Sequence, residues 1–225
     1  MAKYVVHALV LLFAVGTMQM SKMMVNAQSG VWPLPKEMRT ESRNGGAIFD
    51  VERLQEKNQV STLLGRAMER FLSSMSSSSS SSSSFSSSLS TSPIIIHTIR
   101  FDIKNRTESG YPALETDESY QIQLNDEEEA GTVIVTSASV YGALHALETL
   151  KQMVDPTDTA TIPFDEIYIR DSPDHQWRGL MIDSGRRFVP KDTLENLLDT
   201  MAAVKLNVLH LHASDMCRFG VESKI

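Results

Sequence analysis

The sequence has a single cysteine, Cys217, and no block of basic residues anywhere in its 225 residues. One cysteine excludes the internal disulfide framework on which many small secreted domains depend. Lys and Arg number 21 against 28 Asp and Glu, which gives a formal net charge of -7. This balance argues against nucleic acid or an anionic membrane as the main partner. The apolar fraction of 41% is nevertheless sufficient for a hydrophobic core.

Apolar runs in the sequence are short, and the longest of them stands at the start of the chain. Residues 4–15 are apolar and follow Lys3, but the run is too short to span a bilayer comfortably. We interpret residues 1–27 as a secretory signal peptide, cleaved after the small residue Ala27. An uncleaved N-terminal anchor is the alternative. A signal peptide predicts the secretory pathway, with the cell exterior, cell wall, vacuole or lysosome as destinations.

Two further residues gain meaning in a secretory setting. Asn105 begins an Asn-Arg-Thr triplet and is a candidate glycosylation acceptor, although so short a pattern also arises by chance. Cys217 is either a buried inert thiol, an intermolecular link, or one half of a disulfide whose partner is missing.

Composition and periodicity divide the rest of the chain. Residues 73–92 contain 16 serines and cannot bury enough apolar surface to fold, so they are predicted to be a disordered insertion. Before them, apolar residues recur at steps of three and four, which predicts a helix that ends near the serines. The stripe consists of Val51, Leu54, Val60, Leu63, Leu64, Ala67, Met68, Phe71 and Leu72.

After the serines the apolar period changes to two. Residues 94–103, 120–124 and 132–136 are predicted strands, and the acidic run 125–129 is a predicted hairpin tip. Residues 139–150 return to helical spacing. A helix packed on a small sheet makes residues 28–170 an α+β domain.

The last part of the chain has a different pattern. A short strand at 167–169 and a turn at 171–174 precede a predicted buried strand at 178–183. Pro190 marks the start of a helix with Asp192 in its first turn, and residues 206–212 form another apolar strand. Strand, helix and strand at this spacing predict a βαβ unit with parallel strands. The predicted inner face of the helix consists of Leu194, Leu197, Leu198, Met201 and Val204.

Three motifs in this region carry a resemblance to a known family. Residues 177–183, 186–190 and 201–215, in unbroken order, resemble the opening of the catalytic barrel of β-N-acetylhexosaminidases, glycoside hydrolase family 20. Residues 120–124 and 141–149 are similar to the α+β domain that precedes this barrel. The resemblance implies an α+β N-terminal domain followed by the first βαβ unit of a (β/α)8 TIM barrel. Residues 171–225 would form this first part of the barrel.

The resemblance also implies a reaction. Family members remove terminal β-linked N-acetylglucosamine or N-acetylgalactosamine from glycans with retention of configuration, and the substrate's own 2-acetamido oxygen attacks the anomeric carbon. One Glu acts as general acid and a neighbouring Asp supports the acetamido group. The expected partners are therefore glycans that end in N-acetylhexosamine, with no cofactor and no metal, and homodimer formation stays open.

Residue by residue, the resemblance implies a sugar site. Arg178 matches an Arg that binds hydroxyls of the terminal sugar, and Asp215 matches an Asp at the end of the second barrel strand. Asp183, His210 and His212 are expected to support this site. The structural alternatives are a salt bridge from Arg178 to Asp183 or Asp174, and a capping role for Asp215.

Two other functions compete with this interpretation. His210 and His212 are two residues apart on a strand, an arrangement that metal-dependent amidohydrolases use to bind a metal ion. Alternatively, the α+β domain acts alone as a non-catalytic glycan-binding module.

The catalytic pair itself is missing from the expected place. Neither Asp126-Glu127, in the hairpin tip, nor Asp165-Glu166, before the domain junction, is expected to lie near a barrel mouth. We therefore expect an N-terminal fragment of a hexosaminidase that lacks both catalytic residues and is inactive alone. Its βαβ unit is expected to expose strand edges and an apolar helix face.

Overall fold

The computed structural model describes residues 30–43, 45–57, 61–76, 93–107, 111–124, 129–155, 160–216 and 218–219. The predicted signal peptide, most of the serine tract, residues 125–128 of the acidic run and Cys217 lie outside these residues. The chain divides into two units, residues 1–31 and 32–225, and every strand and helix among the described residues belongs to the second. None of the described helices is long and apolar enough to cross a membrane.

Thirteen strands and three helices make up the described part of the chain. In chain order they are β1 Glu37–Glu41, β2 Ala47–Phe49, β3 Gln55–Lys57, α1 Thr62–Ser76, β4 Ile94–Ile96, β5 Thr98–Asn105, β6 Tyr120–Leu124, β7 Thr132–Ser139, α2 Val140–Met153, β8 Thr161–Ile162, β9 Glu166–Asp171, β10 Gly179–Asp183, α3 Lys191–Ala203, β11 Val208–His212, β12 Ser214–Asp215 and β13 Arg218–Phe219.

A mixed six-stranded sheet is the centre of the fold. Its order is β1-β9-β6-β7-β5-β3, with antiparallel pairing from β1 to β7 and parallel pairing from β7 to β3. The predicted strands at 120–124, 132–136 and 167–169 are confirmed, whereas the predicted strand at 94–103 is divided into two strands, β4 and β5, that belong to different sheets. A small sheet of order β4-β2-β8 lies beside it, and the chain passes from the small sheet to the large one at His97.

The alternation in β5 determines which side of the sheet carries the core. Ile99, Phe101 and Ile103 are buried, whereas Arg100 and Asp102 alternate with them and are partly exposed. Helix α2 packs on β5, β6 and β7, and α1 packs beside α2. The core therefore lies between one face of the sheet and two helices, as expected for an α+β domain.

Helix α2 begins at Val140 because Ser139 caps it. Ser139 is extended and its hydroxyl accepts a hydrogen bond from the Gly142 amide at 3.4 Å. At Gly142 a Cβ atom would lie only 2.5 Å from the Ser119 carbonyl oxygen. Only glycine lets the first turn of α2 approach the chain segment that leads into β6 so closely.

Helix α1 differs from the sequence interpretation at both ends. It begins at Thr62, where the Ser61 hydroxyl accepts the Leu64 amide hydrogen bond at 3.1 Å, and not near Val51. Residues 55–57 form β3 instead, because they complete a parallel ladder along the edge of β5. The assignment of Val51 and Leu54 to the helical stripe was therefore wrong.

At its other end α1 extends into the serine tract. Residues 73–76 form its last turn, so the predicted disordered insertion at 73–92 was wrong for these four residues. The Ser73 and Ser74 hydroxyls donate hydrogen bonds to the Arg70 and Phe71 carbonyls, and Met75 is buried on the stripe that includes Phe71. One apolar residue at the correct helical spacing is enough to continue the helix past the first serines.

The predicted βαβ unit is present, but its first strand and its helix are more exposed than the sequence predicted. Strands β10 and β11 pair in parallel from Gly179 opposite Val208 to Asp183 opposite His212, which confirms the parallel prediction. The prediction of a buried strand was wrong, because every residue of β10 is exposed or partly exposed, and α3 buries only Met201. Parallel strands are buried when both faces and both neighbours are covered, and in the described residues these two strands form a sheet by themselves.

The extension of α1 into the serine tract leads to a stability prediction. We expect Met75→Ala to lower the free energy of unfolding by about 2–5 kcal/mol, as for other buried methionines. Ser73→Ala, two residues earlier on the exposed side, is the matched control and should change it by less than about 0.5 kcal/mol. Urea denaturation measures both. Equal effects for the two variants would contradict the placement of Met75 in the core.

Candidate functional site

An arginine between two carboxylates occupies the carboxyl ends of β10 and β11. Asp183 is the last residue of β10, and Arg186 follows it in the loop toward α3. The Arg186 Nε atom lies 2.9 Å from Asp215 Oδ2 and 3.3 Å from Asp183 Oδ2. The structure thus brings together two of the predicted site residues, Asp183 and Asp215, around an arginine that the prediction did not include.

Backbone contacts hold this loop in place. The amides of Ser184 and Gly185 both donate to the His212 carbonyl oxygen at 3.0 Å. Gly185 is buried, and a Cβ atom there would lie 2.9 Å from the Ser214 carbonyl carbon. Because only glycine permits this approach, the loop after β10 crosses directly over the chain after β11. This crossing places Arg186 beside Asp215.

The charges of this cluster are accessible to a ligand. The Arg186 side chain is 74% exposed and that of Asp215 is 39% exposed. The Met216 amide, which donates to Asp215, and the Arg186 guanidinium lower the pKa of the Asp215 carboxyl. Asp215 therefore stays ionised under mildly acidic conditions, and it can accept hydrogen bonds from hydroxyl groups. We see no helix cap formed by Asp215 among the described contacts.

His210 and His212 share the face predicted for alternating residues on β11. His210 is exposed, and His212 is partly exposed and near enough to Asp215 to influence its pKa. Within the described ranges no group of three His, Cys, Asp or Glu side chains is placed to hold a metal ion. The metal-dependent alternative therefore has two histidines and no third ligand in this part of the chain.

Arg178 lies at the opposite end of β10. It precedes Gly179, and its guanidinium forms an ion pair with Glu118 and donates to the carbonyl oxygens of Lys205 at 2.8 Å and His175 at 2.7 Å. The structure therefore does not bring Arg178 to Asp215. Its partner is also neither Asp183 nor Asp174, the two salt-bridge partners that the sequence suggested.

Glu118 is the centre of a buried polar cluster at this end. Its side chain is 3% exposed and accepts hydrogen bonds from Arg178, from His145 Nε2 at 2.6 Å and from Asn207 Nδ2 at 3.4 Å. Burial alone would raise the pKa of this carboxyl, but the hydrogen bonds from His145 and Arg178 outweigh it, and the pKa is lowered. Glu118 is therefore a buried anion.

A second buried ion pair lies beside the first. Lys205 Nζ donates to the Tyr120 hydroxyl at 2.7 Å and to Asp171 Oδ2 at 3.3 Å, and the Tyr120 hydroxyl donates to Asp171 at 2.8 Å. Burial lowers the pKa of Lys205, and burial together with the Asp171 charge raises that of Tyr120. The large sheet and the βαβ unit are therefore joined through two charged contacts.

Three Asp-Glu pairs occur in the sequence, and none is placed to act as a catalytic pair in the described residues. Asp117-Glu118 is a pair that the sequence analysis did not include, and the hydrogen bonds from His145 and Arg178 lower the pKa of its Glu118 carboxyl. Asp165 is buried and accepts the Arg43 amide at 2.8 Å, while Glu166 forms an ion pair with Arg43. Asp126-Glu127 lies outside the described residues. A general acid must carry a proton before it reacts, and Glu118 does not.

The predicted glycosylation acceptor is on the surface. Asn105 is the last residue of β5, is exposed, and its side-chain oxygen accepts the Thr107 amide at 3.0 Å. Attachment of a glycan requires an accessible side-chain amide, which this position offers. Glycosylation itself stays a prediction.

Comparison with known proteins identifies both regions of the chain. Residues 175–224 match the model of the glycosyl hydrolase family 20 catalytic domain, and residues 31–153 match that of the "beta-acetyl hexosaminidase like" domain. The second match alone covers more than half of the chain.

Individual relatives give the same result. The chain is 41% identical over 123 residues to beta-hexosaminidase subunit beta of Entamoeba histolytica, which covers 53% of this chain and 21% of that protein. It is 29% identical over 199 residues to beta-hexosaminidase 3 of Arabidopsis thaliana, and this match covers 85% of this chain and 37% of that protein. The chain thus spans about a fifth of the length of the first of these relatives.

A solved structure shares the fold. The chitobiase of Flavobacterium johnsoniae superposes with a TM-score of 0.59 at 26% identity, over 84% of this chain and 27% of that one.

The Glu118 cluster leads to a prediction about stability and pH. We expect Glu118→Gln to lower the free energy of unfolding at pH 7 by about 3–5 kcal/mol, because it leaves the buried Arg178 charge without its negatively charged partner. The folded-state pKa of Glu118 is below its ordinary value. Its stabilisation is therefore complete above the unfolded-state pKa and is lost as the pH falls through the folded-state pKa.

Denaturant unfolding at pH 7 and at pH 3 checks this prediction. The difference between the wild type and Glu118→Gln should shrink at the lower pH. Glu115→Gln, an exposed change three residues earlier, is the control and should have little effect at either pH. A difference that stayed constant or grew toward pH 3 would show that the Glu118 carboxylate is not the stabilising group.

Proposed function

Because the chain belongs to glycoside hydrolase family 20, we propose that it forms part of an exo-acting β-N-acetylhexosaminidase that removes terminal N-acetylglucosamine or N-acetylgalactosamine from glycans. The observation that supports this most directly is the Arg186–Asp215 ion pair at the carboxyl ends of two parallel strands, inside the region that matches the catalytic domain. Side chains at this end of barrel strands carry the chemistry in barrel enzymes. The relatives' names point to the same activity.

Arg186 takes the role that the sequence interpretation gave to Arg178. The planar guanidinium can donate to two adjacent hydroxyl groups of one sugar ring, which a Lys ammonium cannot do in the same plane. Asp183 and Asp215 both contact the Nε atom of this guanidinium, and the Arg186 side chain is largely exposed. In our proposal Asp215 also accepts a hydroxyl hydrogen bond, and Asp183 acts only by orienting Arg186.

The chemical step proposed for the whole protein is retaining and assisted by the substrate. The 2-acetamido oxygen attacks the anomeric carbon, a Glu protonates the departing glycosidic oxygen, and an Asp stabilises the positive charge that develops on the acetamido group. The described residues supply binding and orientation in this scheme, because both described Asp-Glu pairs are held in internal contacts. Binding that is equal in the ground and transition states lowers KM, so Arg186 contributes to kcat only through orientation.

We propose the following organisation and location on the same basis. Residues 1–27 are a signal peptide, residues 28–170 a non-catalytic α+β domain, and residues 171–225 the start of the catalytic barrel. Entry into the secretory pathway would bring the protein to glycans outside the cell, in the wall, or in a vacuole or lysosome. Glycosylation at Asn105 would confirm the route, and its removal by a peptide-N-glycosidase would change the mobility of the native protein.

Two neighbouring arginines provide a matched test of the sugar site. In the protein purified from its source and in recombinant variants of it, Arg186→Ala should lower kcat/KM for a nitrophenyl N-acetyl-β-glucosaminide about 10- to 100-fold or more, the loss of one or two charge-assisted hydrogen bonds. Arg187→Ala removes the next exposed arginine and should change it less than about twofold. Thermal unfolding of both variants controls for folding. Equal losses in the two variants would argue against the assignment of Arg186.

The content of the chain predicts its behaviour in isolation. We expect the purified 225-residue chain to release no nitrophenol above background, because no described carboxylic acid is both protonated and placed beside Arg186. Turnover that disappears in Arg186→Ala would contradict this and would place a catalytic acid within the chain. Turnover that persists in Arg186→Ala would instead indicate a contaminating enzyme.

A further inference from the structure

A polar cavity lies on the side of the large sheet that the helices leave open. Its volume is about 480 Å³, and strands β1, β5, β6, β7 and β9 all contribute to its lining. Ile122, Val135 and Ile169 are buried under the helices, so Gln121, Thr136 and Arg170, each next to one of them in its strand, point to the opposite face. Cavities of this size accept ligands as large as a monosaccharide.

Three side chains form a row across the floor of this cavity. Gln121 on β6 stands directly opposite Arg170 on β9 and opposite Thr136 on β7. Cross-strand neighbours of this kind are about 4.5–5.5 Å apart. In the part of the chain that the structure describes, none of these three side chains makes a hydrogen bond or an ion pair. Their polar groups are therefore available to a ligand.

The charges around the cavity favour an anion. Lys36, Lys104 and Arg170 line it together with Glu37 and Asp171, three positive against two negative groups, in a chain whose net charge is -7. Asp171 is already bound by Lys205 and Tyr120, and Glu37 forms an ion pair with Arg39.

The three cations differ in how far they are already paired. Lys36 is paired with Asp174 at 3.0 Å. Lys104 and Arg170 form no ion pair with any described residue, although Lys104 acts on Asp117 from a distance. Two positive heads therefore face the cavity without a partner.

We propose that this cavity binds a small ligand that carries one oxyanion group, a carboxylate, sulfate or phosphate, next to hydroxyl groups. Arg170 binds the oxyanion, for which the guanidinium offers two parallel donors, and Lys104, on β5 at the other end of the row, adds to the positive potential that attracts it. The Gln121 amide and the Thr136 hydroxyl can both donate and accept, so they bind the neighbouring hydroxyls. The site shares no residue with the Arg186–Asp215 pair and would be occupied independently of it.

Calorimetric titration of the full chain tests the proposal with defined probes. N-acetylglucosamine 6-sulfate should bind more tightly than inorganic sulfate, and neutral N-acetylglucosamine should bind at least tenfold more weakly than its sulfate. The 6-phosphate and a uronic acid, titrated in the same way, distinguish the three sources of the oxyanion. Binding should weaken as the salt concentration rises, because the contact is between exposed charges.

Variants locate the binding to the cavity. Arg170→Gln should weaken binding of the sugar sulfate about tenfold or more, and Thr136→Val should weaken the sugar sulfate but not inorganic sulfate. Arg66→Gln removes an exposed arginine from α1, in the other layer, and should leave the affinity unchanged. Circular dichroism establishes whether the variants are folded. If Arg170→Gln does not fold, Lys104→Gln at an exposed position provides a second test.

Several outcomes would overturn the proposal. Absence of heat with every anionic probe, or unchanged affinity in both Arg170→Gln and Lys104→Gln, would remove the oxyanion site. Equal affinity for neutral and sulfated sugar would show that charge is not recognised. Equal affinity for inorganic sulfate and the sugar sulfate would remove the role given to Gln121 and Thr136.

Discussion

The buried ion pair between Glu118 and Arg178 is the contact on which the arrangement of the molecule depends. Glu118 precedes the strand at the centre of the sheet, and Arg178 precedes the first strand of the βαβ unit. Neither charge can be left alone in this environment without a large desolvation cost, so the ion pair opposes separation of the two segments. The glycine at position 142 contributes to the same contact, because it lets helix α2 bring His145 up to the Glu118 carboxylate.

Two arginines lie at opposite ends of one short strand, β10. At the amino end of β10, Arg178 is enclosed by carbonyl oxygens and a carboxylate and fixes the strand to the sheet. At the carboxyl end, Arg186 is exposed and forms ion pairs with two carboxylates. Barrel proteins commonly divide their strands in this way, with stability at the amino end and chemistry at the carboxyl end. The two residues are of the same type, so only their position along the strand distinguishes them.

Much of the fold could be predicted from periodicity, because the alternation of Ile99, Phe101 and Ile103 and the helical spacing of residues 140–150 respond to local geometry. The short edge strand at 55–57 could not, because it exists only through its pairing with β5, a contact distant in sequence. The candidate site stays a prediction. The resemblance pointed to Asp183 and Asp215, which the structure places beside one arginine, but it pointed to Arg178 and not to Arg186. Only the structure shows that Arg186 follows the carboxyl end of β10 and that Arg178 precedes its amino end. The Glu118 cluster combines groups from four segments that are distant in sequence, so no local pattern of residues predicts it.

Because Met75 is buried, the number of residues before it in the serine tract affects the packing of α1, whereas the number after the helix does not. An extra serine inserted between Phe71 and Met75 would rotate the methionine by about 100° around the axis of α1 and turn it out of the core. The same insertion after Ser76 would leave every side chain of the helix where it is. Copies of this protein that differ in the number of serines should therefore vary after Met75 and keep a constant count before it.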